Sequence, residues 1–213
     1  IYGVSENRFV SHDVTTNKRT ILHTFSQFHN IEFGYNKGNQ SFNDRYVALI
    51  GENGDEVTLI TYDILEDKVM GILDLGDLSN RDLAWFSITP TGNYAMLAWR
   101  NDGKGQYEGY KRFDLDLSNE THFYDYTAHG DMGFDANGNQ VLVKFGDESI
   151  RPDDYYINLI QIDNLDIRPL FYWTREEHGS SGIWGGHISL RNTDRPGWAY
   201  VTESCCTDHP VAT

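Results

Sequence analysis

Two histidines stand at the same distance before two later landmarks. His129 precedes Gln140 by 11 residues, and His187 precedes Trp198 by 11. Neutral imidazole binds transition metals and serves as a general base near neutral pH. Asp131, two residues after His129, offers an oxygen donor. His129, His187 and Asp131 therefore form a candidate set for a divalent metal such as Mn, Ca or Zn. Tyr35 precedes Tyr46 by the same offset, and Leu83 precedes Tyr94 by it. Tyr35 thus joins the two histidines as a candidate catalytic group. Arg191 and Arg195 bracket a turn in "SLRNTDRPGWAYV". A guanidinium fork suits carboxylate or phosphate. An Arg that neutralises a carboxylate makes the neighbouring C–H acidic, so that a His or Tyr base can take the proton. Plain structural uses stand beside these roles. A His can satisfy backbone groups at the start of its strand, and each Arg can pair with surface Asp or Glu.

The elements that would hold these residues follow from a repeat. Asp13, Asp63, Asp114 and Asp163 are spaced by 50, 51 and 49 residues. A second marker, a polar turn followed by an apolar run, falls at Tyr46, Tyr94, Gln140 and Trp198, at intervals of 48, 46 and 58. Within one unit, "GNQSF" reads as a short first strand and "RYVALI" as a second. "EVTLITYDI" reads as a third and "VMGILDL" as a fourth, with polar turns between them. Four antiparallel strands in each forty to fifty residues is the pattern of a propeller blade. The expected fold is therefore an all-β propeller, with units near 1–27, 33–76, 83–125, 128–173 and 183–204. First strands line the central channel, and the loops before them form one mouth. His129 and His187 then occupy equivalent places in successive blades. Each repeated Asp falls late in a third strand, where its carboxylate can accept N–H groups of the next turn.

Composition agrees with strands. Thirteen Tyr, eleven Phe and five Trp favour them, and twenty Gly supply turns. A net charge of −15 argues against nucleic acid, which needs Lys and Arg at its phosphates. Salt screens that field over about 8–10 Å, so a local basic cluster can still hold an anion. No run approaches the length of a membrane span. Adjacent Cys205 and Cys206 read as free thiols; the alternative is metal binding with His209, although "CCTDH" is not an established zinc spacing. Sequons at Asn39 and Asn119 read as chance matches. His23, His122 and His178 have no partner in view. No phosphate loop, nucleophile elbow or HExxH element is present.

The first residues lack Met and open inside a strand, so a trimmed or truncated product is expected. The first segment supplies the last three strands of a blade, and the last segment supplies opening strands. About four blades are covered. The expectation is a piece of a larger ring of about seven blades. The alternative is a closed four-bladed ring whose ends share one blade.

The units "SFNDRYVALIGENGDEVTLITYDI" and "SITPTGNYAMLAWRNDGKGQYEGYKRFDL" resemble the repeats of bacterial TolB-like propellers. Repeats of that kind occur in oligogalacturonate lyases and propeller-type ulvan lyases. The match departs at "SFND" and "SITPTG", and "GHISLRN" is no repeat feature. In those lyases channel His residues, with Arg and Tyr, carry metal binding or proton abstraction. The resemblance puts His129, His187 and Tyr35 in the catalytic role, and Arg191 and Arg195 at the substrate. It implies a secreted or periplasmic protein that binds an acidic oligo- or polysaccharide and cleaves it by β-elimination. The alternative is a non-catalytic platform for a protein or glycan.

Overall fold

The computed structural model describes residues 1–33, 41, 43–77, 81–101, 106–124, 130–145, 154–174, 187–189 and 200–202. Every regular element among them is a strand. The first sheet joins β1 (Tyr2–Ser5), β2 (Arg8–Asp13) and β3 (Lys18–Thr24). The second runs β4 (Asn30–Glu32), β5 (Tyr46–Asn53), β6 (Glu56–Asp63) and β7 (Lys68–Asp77). The third joins β8 (Arg81–Ile88), β9 (Tyr94–Asn101), β10 (Gln106–Asp114) and β11 (Thr121–Tyr124). The fourth joins β12 (Gly130–Phe134), β13 (Gln140–Phe145), β14 (Asp154–Gln161) and β15 (Ile167–Thr174). The pair β16 (His187–Ser189) and β17 (Tyr200–Thr202) forms the fifth. Each strand pairs antiparallel with its sequence neighbour inside its sheet. The chain divides into two compact units, Ile1–Asp125 and Tyr126–Thr213.

In the first unit the second sheet is covered on both faces. Strand alternation sends Val47 and Leu49 of β5 to one side, where they pack with Phe9, Phe25 and Ile31. Ala48 and Ile50 go to the other side, with Phe86, Ile88, Leu97 and Phe113. Strand β6 repeats this, with Ile60 and Tyr62 on the first face and Val57 and Leu59 on the second. Burying each Val, Leu, Ile or Phe among these stabilises the fold by about 1.5–3 kcal/mol. The third sheet is tied to the second by a close approach of backbones. The Thr61 hydroxyl donates to the Leu115 carbonyl. A Cβ on Gly71 would land on the Asp116 backbone. Gly71→Ala should therefore destabilise the protein by about 1–3 kcal/mol, the cost of overpacking. The urea unfolding midpoint measures it, and an unchanged midpoint refutes the close approach.

A turn recurs before the second strand of three sheets. The Ser41 N–H donates to the Tyr46 carbonyl at 2.9 Å, and the Asp44 N–H donates to the Ser41 carbonyl at 3.0 Å. Thr89, Gly92 and Tyr94 make the same pair of bonds at 2.9 Å each. Asp135 accepts from the Gly138 N–H at 3.0 Å and donates to the Asn139 carbonyl at 2.9 Å. A side-chain oxygen closes each turn: Ser41 Oγ on the Tyr46 N–H, Thr89 Oγ1 on the Tyr94 N–H, Asp135 Oδ1 on the Asn139 N–H. Ser41, Thr89 and Asp135 are all buried, and each stands five residues before a landmark of the second marker. This is the physical origin of that marker. It also corrects one expectation. Ser41, within "GNQSF", belongs to a turn, because its backbone and hydroxyl are both spent on Tyr46. The first strand of the second sheet is Asn30–Glu32, whose Ile31 N–H donates to the Glu6 carbonyl at 2.8 Å.

The repeated aspartates divide into two kinds. Asp13 accepts the Thr15 and Thr16 N–H groups at 2.9 and 3.3 Å. Asp63 accepts the Leu65 and Glu66 N–H groups at 3.0 and 3.2 Å. Both match the expected turn contact. Asp114 instead accepts the Asn119 side-chain amide at 2.7 Å, and in that turn Asp116 takes the Ser118 N–H at 3.0 Å. Asp163 lies just beyond β14 and accepts the Gln140 side-chain amide at 2.6 Å.

Candidate functional site

Strands β12 and β16 are the first strands of successive sheets, and both lie in the second unit. They run beside one another, with Cα atoms of the two within 8 Å. Asp131 is the second residue of β12 and pairs in register with Val143. Its carboxylate is half-buried, and Oδ1 accepts the Met132 N–H at 2.9 Å. His187 opens β16 and pairs in register with Thr202. The fold therefore brings the strand of Asp131 and the strand of His187 together. His129, Tyr35, Arg191 and Arg195 lie outside the described residues, as do Cys205, Cys206, His209 and His178.

The first unit holds polar clusters that sequence reasoning missed. His23, expected to lack a partner, has Nδ1 at 2.7 Å from Asp67 Oδ1. The same carboxylate oxygen accepts the Tyr62 hydroxyl at 2.6 Å. The His23 ring lies 4.5 Å from Phe25 and 5.3 Å from Tyr62, between centroids. Burial pushes the Tyr62 hydroxyl well up, and its bond to Asp67 adds to that. The same Tyr62 bond, followed by the His23 bond, holds the Asp67 carboxyl below its ordinary range. A partner 44 residues away in another sheet leaves no local mark in the sequence. On the first strand of the second sheet, the Asn30 amide donates to Glu32 at 3.3 Å and to Glu52 at 3.1 Å.

Comparison with solved structures decides the architecture. An oligogalacturonate lyase in complex with manganese superposes with a TM-score of 0.52 at 13% identity, over 81% of this chain and 50% of that one. The fold is a β-propeller. An oligogalacturonate lyase from Vibrio parahaemolyticus gives 0.49 at 12%, over 79% of this chain and 48% of that one. TolB from Acinetobacter baumannii gives 0.45 at 14%, over 76% and 37%. The chain spans about half the length of the lyase structures it resembles. No known sequence family matches it, and none of the curated proteins does. Propeller architecture explains why the first strands of neighbouring sheets approach. Blades are laid side by side, and their innermost strands are the closest to the axis. Among the described residues no three His, Cys, Asp or Glu side chains converge as a metal site. None of those residues forms a helix long and apolar enough to cross a membrane.

Proposed function

We propose that this propeller binds an acidic saccharide and cleaves it by β-elimination at a uronic acid. The observation that carries the proposal is the approach of β12 to β16, the strands of Asp131 and His187. The likeness to an oligogalacturonate lyase supports the choice of substrate class. In the reaction a base removes the proton beside the uronate carboxylate. The electron pair forms a carbon–carbon double bond, and the glycosidic oxygen leaves and is protonated. His187 or His129 is the base, with Tyr35 as the other candidate. Arg191 or Arg195 pairs with the carboxylate and stabilises the negative charge that develops there. If Asp131 and the two histidines instead hold a divalent metal, it would supply further charge neutralisation at the carboxylate, and Tyr35 would then be the base. An acidic oligo- or polysaccharide substrate fits a secreted or periplasmic protein.

A second reading has its own observation. Asp131 Oδ1 already accepts the Met132 N–H, a contact that serves the strand itself. On that reading the propeller is a non-catalytic platform. Incubation with pectic, ulvan and alginate polysaccharides separates the two. The lyase reading expects ultraviolet absorbance from the unsaturated product on at least one of them, and a flat trace on all three leaves only the platform. Elemental analysis of the purified protein settles the metal. Stoichiometric Mn, Ca or Zn is the expected result, and its absence removes that branch while leaving the elimination intact.

A further inference from the structure

Asn–Gly pairs are the sites where a protein chain most readily attacks its own side chain, because glycine puts no Cβ in the way. The chain has two, Asn53-Gly54 and Asn137-Gly138. They are alike in most respects. Both Asn are exposed, and both Gly adopt left-handed backbone, with φ of 67° and 82°. Around each Gly a Cβ would meet nothing within 4 Å. They differ at the side-chain amide. Asn53 is held at both ends: its Nδ2 donates to the Gln27 carbonyl at 2.9 Å, and its Oδ1 accepts the His29 N–H at 3.1 Å. No described residue bonds the Asn137 side chain.

We infer that Asn137 is a site of spontaneous deamidation in the folded protein and that Asn53 is protected from it. The Gly138 backbone nitrogen adds to Asn137 Cγ and loses its proton, and the side-chain nitrogen leaves as ammonia. Water then opens the cyclic imide at either carbonyl, giving Asp or isoaspartate at 137. The attack requires the Gly138 N–H to leave the Asp135 carbonyl, to which it donates at 3.0 Å. Residues 136–139 are all exposed, so the turn can open without disturbing the core. At Asn53 the two bonds on the amide must break as well, and the leaving nitrogen is one of the bonded atoms.

The product matters to the fold. Isoaspartate inserts a methylene into the backbone between Asp135 and Gly138. The buried Asp135 carboxylate, which accepts the Asn137 and Asn139 N–H groups at 2.9 Å each, would lose that alignment.

Peptide mapping after incubation of the native protein at mildly alkaline pH tests the inference. Conversion is read as the mass gain of OH replacing NH2 and as isoaspartate. Asn137 should convert roughly tenfold faster than Asn53, the factor set by retaining two hydrogen bonds. In urea the two rates should converge, since the local sequences are equally permissive. Asn137→Gln should remove the fast phase while leaving the slow one. Equal native rates, faster loss at Asn53, or a gap that persists in urea would each overturn the assignment.

Discussion

On the proposed lyase reading, His187→Ala should lower the rate of uronate elimination by roughly 10²–10⁴-fold while leaving the unfolding midpoint close to that of the parent. That range is what a positioned general base contributes to proton transfer. The fold gives a reason to expect so large an effect from one residue. His187 opens β16, which lies against β12, so its backbone is set by a ladder and by a neighbouring first strand. A base on a paired strand loses little to misplacement. The pH dependence separates a base from a merely structural histidine. A base makes kcat/KM climb with pH as it deprotonates, and that limb should vanish in His187→Ala. His129→Ala is the necessary companion. Loss of the limb in one variant assigns the base, and an intact limb in both refutes proton removal by either histidine. Arg191→Ala and Arg195→Ala should act differently, weakening binding of a uronate product by a few kcal/mol if the ion pair is buried. Unchanged affinity in both refutes the carboxylate clamp.

The architecture was legible because each repeat is written twice in local chemistry. An Asp marks the end of a third strand, and a buried Ser, Thr or Asp closes the turn before a second strand. Both signals lie within a few residues, so both survive in a single sequence. The fate of each Asp was less legible, because it depends on turn length. The turns after Asp13 and Asp63 have four residues, while the turn after Asp114 has six. In the longer turn Asp116 takes the backbone N–H, and Asp114 is left to the Asn119 amide. The position of β4 was missed for a related reason. Ser41 and the strand at Asn30–Glu32 are separated by a stretch whose sequence carries no clear alternation. The His23–Asp67–Tyr62 cluster could not be read at all, since its members meet only after two sheets have stacked. The candidate site shares that difficulty. Equal spacing suggested that His129 and His187 are equivalent, and spacing alone says nothing about which loops converge.

Asp63→Ala should destabilise the protein by about 2–3 kcal/mol, more than the loss of any exposed ion pair. The side chain of Asp63 is 2% exposed, and its two oxygens do separate jobs. Its Oδ2 accepts Arg45 Nε at 3.0 Å and an Arg45 terminal nitrogen at 2.8 Å. Its Oδ1 accepts the Leu65 and Glu66 N–H groups in the middle of the β6–β7 turn. Truncation leaves those donors with nothing in place of the carboxylate. The cost stays below that of a fully buried pair, because Arg45 is 35% exposed and keeps Glu66 at 3.1 Å. The same carboxyl gives the effect a pH signature. Burial pushes it up, but the Arg45 bond and the Glu66 and Leu65 N–H groups more than reverse that, so it ends below its ordinary 3.8. A carboxyl depressed by folding stabilises the folded state above its unfolded value and loses that contribution as pH falls through its folded value. The gap in stability between the parent and Asp63→Asn should therefore be full at neutral pH and shrink below pH 3.8. Urea titrations at neutral and acid pH read it directly. A gap that is constant with pH would mean that the carboxylate's charge contributes nothing, and that the turn is held by shape alone.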